Sequence, residues 1–191
     1  MWKTRANQLF ILDNFGYEKE GSYYLGENGN FFIPDKVCRL ITHIRKKYGI
    51  NETITAGSSK GGSAALMYGI LCKSEKVVIG APQYYLGSYL NTDAHKCLLK
   101  AIMGNTSVES VEKLNCVLRD KISGEYAGRP DVYIHYSPQE HTYSEHIKDM
   151  ITDLKANGFT VYEDNEYSYK EHNEVAKYFP VYLIKILSED L

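Results

Sequence analysis

Residues 50–62, INETITAGSSKGG, must turn an extended chain into a helix within a few residues. The first half, INETITA, is β-branched and apolar enough for a short buried strand. The stretch that follows the glycines, Ser63 to Lys73 (SAALMYGILCK), is rich in helix formers. Between them Gly57-Ser58-Ser59-Lys60-Gly61 reads G-x-S-x-G, which in a strand–turn–helix context is a nucleophile elbow. A serine at such a turn stands exposed on a strained backbone, and small neighbours let the chain pass close by without a Cβ clash. The N–H of Lys60, at the start of the helix, would face a developing oxyanion. Gly62 adds the expectation of close packing at the turn. A phosphate-cradling loop is the rival use of glycines here, but its lysine follows the last glycine and is itself followed by Ser or Thr, whereas Lys60 precedes two glycines.

The rest of the chain alternates strands and helices around this turn. An apolar run at 8–13 (QLFILD) reads as a first strand, and Asn14 to Asn30 as a long Gly-rich loop. Pro34-Asp35 opens a helix with Val37, Leu40, Ile41 and Ile44 at helical spacing, stopped by Gly49. Lys76 to Gly80 (KVVIG) is a short buried strand, closed by Ala81-Pro82. From Gln83 to Gly128 strand signals vanish, and helices at Thr92–Met103 and Ser107–Ile122 fit a helical insert above the strand ends or an ordinary crossover. Strand character returns at Asp131–Tyr136, a helix follows at Ser144–Ala156, and Phe159–Glu163 is the last strand. The closing helix carries Val175, Phe179, Leu183 and Ile186, with Pro180 expected to kink or divide it. Strands alternating with helices imply an α/β architecture of about five mostly parallel strands in one domain, residues 1–191, with the insert at about 84–128.

Bulk properties remove several classes of function. A net charge of -2 leaves no footprint for nucleic acid, and Arg45-Lys46-Lys47 reads as the solvated face of one helix. No apolar stretch is long enough to cross a bilayer, and MWKTRANQLF lacks the apolar core of a signal peptide. Cys38, Cys72, Cys97 and Cys116 are scattered, with no C-x-x-C pair and no histidine at ligand spacing, so neither a metal nor another cofactor is expected. Three of them fall in predicted amphipathic helices and read as small hydrophobes there, which favours a reducing, cytoplasmic setting.

A serine hydroxyl is a poor nucleophile until a base takes its proton, and the base needs a third group to orient it. In sheets of this kind the order along the chain is nucleophile, acid, histidine, with catalytic groups at the carboxyl ends of parallel strands. His172 is the histidine that follows the last strand. Glu140, a few residues past the strand Asp131–Tyr136, is the acid; Asp164, directly after the last strand, is the alternative. Asp131 begins its strand, at the wrong edge. The second oxyanion donor is expected after the first strand, where Asn14-Phe15-Gly16 offers the N–H of Phe15 or Gly16, or the Asn14 amide.

With Ser59, Glu140 and His172 in these places the chain resembles the α/β-hydrolase superfamily. The G-S-S-K-G-G turn followed by Ser63-Ala64-Ala65-Leu66 looks like two bacterial groups, the glycan O-acetylating component of the accessory Sec system and a set of capsular polysaccharide biosynthesis proteins. Gly80-Ala81-Pro82-Gln83, His172-Asn173-Glu174 and Phe179-Pro180 extend the likeness over most of the chain from Leu9. The resemblance implies a Ser/Glu/His triad, which favours Glu140 over Asp164, and acetyl esters of a glycan as substrate. It also implies protein partners in a polysaccharide or secretion system. With one strand ahead of the elbow strand, the chain reads as a minimal version of that fold or as part of a longer protein. A function of a different class, a non-catalytic module holding a glycan or a protein through Tyr84, Tyr85 and Tyr89, uses the same scaffold.

Overall fold

The structure, a computed structural model, describes residues 7–125 and 128–189. The first six residues of the stretch MWKTRANQLF and two residues of the expected insert lie outside it. Four parallel strands form one sheet in the sequential order β1 (Ile54–Ser58), β2 (Lys76–Gly80), β3 (Asp131–Tyr136) and β4 (Val161–Asn165). The register sets Ser58 beside Gly80 and Gly80 beside His135, so the carboxyl ends of the strands lie level along one edge. β2 is buried along most of its length, as a central parallel strand must be.

The elbow helix α2 (Lys60–Leu71) follows β1 after a single residue. It is apolar or small all round, and Gly62 through Ile70 are buried without a break. Such a helix belongs in the interior. Gly69 explains how close it comes: a Cβ there would meet Val77 Cγ2 at 2.2 Å. Helix α1 (Ile33–Tyr48) packs on α2, and Cys38 and Cys72 meet at the contact, their sulfurs 3.1 Å apart. Three helices, α3 (Leu86–Leu90), α4 (Lys96–Met103) and α5 (Val108–Ser123), separate β2 from β3. On α5 the buried side is Leu114, Val117, Leu118 and Ile122, while Val108 faces solvent. Helix α6 (Lys148–Ala156) joins β3 to β4 after one π-helical turn, Tyr143–Ile147.

The last helix, α7 (Val175–Glu189), crosses back over β1, β2 and β3 and runs on through Pro180 as one element. Its Phe179 lies on Gly80, where a Cβ would stand 2.6 Å from the ring. A side chain at the end of β2 would thus push the helix away.

The expected strand at 8–13 is not formed. Leu9, Phe10 and Leu12 are exposed, and the sheet begins at β1. An apolar, β-prone run becomes a strand only where a neighbour supplies hydrogen bonds and a covered face. Instead the segment ends on Asp13, whose buried carboxylate accepts the N–H groups of Ser22 and Tyr24 at 2.8 and 2.9 Å. That carboxylate ties the two ends of the loop 13–24 together. Gly21, at φ +94°, leaves no room there: a Cβ would meet Lys60 Nζ at 2.4 Å and Asp13 Oδ2 at 2.8 Å.

Candidate active site

Ser59 occupies the single-residue corner between β1 and α2 with φ 53° and ψ -127°. For a residue with a Cβ this is a sparsely populated conformation that costs about 1–3 kcal/mol and persists only where the surroundings enforce it. They do: Ser59 N–H donates to Gly80 O at 2.8 Å, and its carbonyl accepts from Gly62 and Ser63. Of the glycines around it, Gly57 is required sterically, since a Cβ there would lie 2.4 Å from Gly61 O. Gly62 is tight as well, with three atoms at 3.2 Å, whereas a Cβ on Gly61 would meet open space.

His172 reaches the corner from the loop after β4. Its 3-10 turn, His172–Glu174, is held by a reciprocal cap between Glu171 and Glu174, in which the backbone N–H of Glu171 donates to Glu174 Oε2 at 3.2 Å. The ring stands between two partners: Nε2 is 2.7 Å from Ser59 Oγ, and Nδ1 is 2.5 Å from Glu140 Oε1. Glu140 is buried in the loop after β3 and also accepts the Thr142 hydroxyl at 2.6 Å. With the carboxylate ionised, the ring proton sits on Nδ1 and Nε2 is left free to accept the serine proton.

Asp164 lies elsewhere. Its carboxylate is 2.7 Å from Nδ1 of His135, the residue beside it in register on β3, and that imidazole is packed against the rings of Tyr169 and Tyr178. In the loop expected to supply the second oxyanion donor, one of the groups offered is engaged elsewhere. Gly16 N–H donates to Glu27 Oε1 at 2.8 Å, and Phe15 packs edge-on against Phe32 in a small apolar cleft beside α1. Lys60 Nζ donates to Glu20 O at 2.5 Å, fastening the same loop to the first turn of α2. The Lys60 N–H itself belongs to that first turn, where no intrahelical acceptor exists.

One residue in contact with Ser59 was not singled out in the sequence as a site residue. Gln83, fully buried three residues past β2, brings Nε2 to 3.0 Å from Ser59 Oγ and 3.4 Å from His172 Nε2. The signal was its position: it follows a buried strand at the same edge as Glu140 and His172.

A cleft of about 630 Å³ opens beside His172, lined also by Tyr85, Tyr89, His95, His141 and His146. Tyr89 stacks on His95 with centroids 4.9 Å apart. Tyr84, by contrast, is in the core, its hydroxyl donating to Asp153 at 2.6 Å, so of the three tyrosines considered for ligand binding only Tyr85 and Tyr89 face the cleft. His146 Nδ1 accepts the Tyr85 N–H at 3.3 Å, which fixes a neutral ring, and burial pushes its pKa down from 6.5 to about 4. As pH falls the unfolded chain takes up this proton first, so the contribution is complete above about pH 6.5 and drains away towards pH 4. The melting temperature of His146→Gln should therefore fall less steeply than that of the wild type across this window. Equal slopes in a pH series of thermal melts would contradict the assignment.

Neither a protein-family model nor a curated protein matches the chain. Solved structures do. The capsule O-acetyltransferase of Neisseria meningitidis serogroup A superposes with a TM-score of 0.70 at 20% identity, over 89% of this chain and 70% of that one. The fold is that of a minimal α/β-hydrolase. The Glycosylation Associate Protein (Gap123) complex of Streptococcus agalactiae matches with a TM-score of 0.70 at 18% identity, over 91% of this chain and 35% of that one. Fluorophosphonate-binding serine hydrolase F of Staphylococcus aureus gives 0.64 at 15% identity, over 87% and 66%. Ser59, Glu140, His172 and Gln83 meet at the carboxyl edge of the parallel sheet, the edge at which open α/β sheets bind their ligands. Among the described residues no helix is long and apolar enough to cross a membrane.

Proposed function

We propose that this chain is a serine esterase or O-acyltransferase that carries acyl groups, acetyl foremost, on a Ser59–His172–Glu140 triad. The observation that supports this reading is the unbroken chain of contacts from Glu140 through His172 to a serine held in strain at the elbow. Ser59 Oγ attacks the acyl carbonyl as His172 Nε2 takes its proton, and the C=O electron pair moves onto oxygen. The Lys60 N–H donates to that oxyanion. Collapse expels the first alcohol or thiol with the proton from His172, leaving an acyl-enzyme. Water or a sugar hydroxyl, deprotonated in turn by His172, then takes the acyl group. Glu140 keeps the ring in the tautomer that both halves need and stabilises the imidazolium.

A glycan acceptor fits two features: the capsule and glycosylation proteins among the structural neighbours, and the open cleft with its Tyr89–His95 stack. Partners within a polysaccharide or secretion system, and a reducing cytoplasmic setting for the Cys38–Cys72 thiol contact, belong to the same reading. A purely binding module would have no use for a strained serine in contact with a carboxylate-oriented histidine. With p-nitrophenyl acetate, the wild type should show a burst of nitrophenol followed by steady turnover, and Ser59→Ala neither. Added oligosaccharide should divert acetate into sugar ester if the enzyme is a transferase. Glycan binding with no ester turnover in the folded wild type would overturn the proposal.

A further inference from the structure

We propose that the side-chain amide of Gln83 is the second oxyanion donor, acting beside the Lys60 N–H; this rests on Ser59 being the nucleophile. Of the donors expected from the early loop, the Gly16 N–H is bound to Glu27. Gln83 is held where a donor is needed. Its carbonyl accepts the Ser63 hydroxyl at 2.7 Å, which ties the residue to the elbow helix. The Tyr23 hydroxyl lies 3.5 Å from Oε1, and burial keeps that phenol well above its ordinary pKa, so it remains a donor. With Oε1 facing a donor, the amide nitrogen is the end turned to Ser59 Oγ, 3.0 Å away.

In the resting site Ser59 Oγ can donate to His172 and accept from Gln83. On attack, Oγ forms a bond to the acyl carbon, its proton passes to His172 Nε2, and the carbonyl π pair becomes a lone pair on the former carbonyl oxygen. Negative charge then resides on an atom bonded to the same carbon as Oγ, within a small shift of an N–H already in place, while Oγ becomes a poorer acceptor. The hydrogen bond strengthens only as the transition state is approached, which raises kcat rather than substrate affinity. An amide does not titrate, so this contribution is constant across the working pH range. It also costs no reorganisation, because the side chain is fully buried and anchored before substrate arrives.

The test uses Gln83→Met, which keeps length and volume, Gln83→Glu, which keeps shape, and Ser59→Ala, each checked by thermal melt. Turnover of an aryl acetate and of its thionoacetate is measured together with the rate of fluorophosphonate labelling. We expect Gln83→Met to lose about 10²–10³ in kcat with KM little changed, and labelling to slow in parallel. Because sulfur is a poor hydrogen-bond acceptor, the wild type should prefer the oxo ester strongly, and removing a donor should shrink that preference. A residue that merely shapes the pocket would slow both esters alike. A kcat near wild type in either folded variant, or a fall with the oxo/thiono ratio unchanged, would overturn the assignment while leaving the serine nucleophile intact. Turnover surviving in Ser59→Ala, or a folded wild type inert to ester and phosphonate alike, would remove both.

Discussion

Glu140→Gln should lower ester turnover by about 10⁴-fold, whereas Asp164→Asn should leave it near the wild-type rate. Glu140 follows β3 and Asp164 lies within β4, and only Glu140 touches His172. Glu140 Oε1 lies 2.5 Å from His172 Nδ1 and its side chain is wholly shielded from solvent, so exchanging one oxygen for an amide removes charge without altering shape. An amide can donate to Nδ1, and the imidazole would then carry its proton on Nε2, the atom that must accept from Ser59. Substrate binding makes no use of the carboxylate, so the loss should appear in kcat with KM little changed. Asp164→Asn would weaken the contact with His135 and show itself in the melting temperature. A large loss in Asp164→Asn with Glu140→Gln near wild type would reverse the roles of the two acids.

The second large effect is expected from a single methyl group. Gly57→Ala would place a Cβ 2.4 Å from Gly61 O and 2.5 Å from Gly61 C, both backbone atoms of the first turn of α2. Nothing there can rotate aside, so the turn must shift. A clash of this kind costs about 1–3 kcal/mol, and displacement of the nucleophile by about 1 Å can cost a further 10²-fold in rate. Gly61→Ala, whose Cβ would meet nothing within 4 Å, should retain both the melting temperature and the acylation rate. Thermal melts and labelling rates of the two variants check this directly. Indistinguishable variants would show that G-x-S-x-G imposes no steric demand at Gly57.

The contrast between these glycines also marks what the sequence could convey. The strand–turn–helix around Ser59, the strands β2 and β3 and the helices α1, α5 and α6 follow from periodicity and punctuation, because each is decided by neighbours close in the chain. Chain order and strand-end position pointed to His172 and left Glu140 and Asp164 as rival acids, between which only the resemblance chose; in the structure it is Glu140 that touches His172. Asp164, expected just past the last strand, falls inside β4, where register puts it beside His135 on the adjacent strand, and neighbours in register share a face. That pairing depends on how two distant segments align. QLFILD has the composition of a strand but pairs with none among the described residues, so Leu9, Phe10 and Leu12 stay exposed while Ile11 packs on the core. Gln83 escaped notice as a site residue for a similar reason. Its contact with Ser59 spans 24 positions and depends on Ser63, Tyr23 and the end of β2 arriving together.

The decisive measurement is fluorophosphonate labelling of the folded wild type, with the modified peptide identified by mass spectrometry and Ser59→Ala run beside it. The wild type should take up one phosphonyl group on Ser59, with a rate that falls when His172 is replaced by Ala, and Ser59→Ala should take up none. A folded wild type that stays unlabelled, or a Ser59→Ala protein that labels equally, would contradict a serine nucleophile at this elbow.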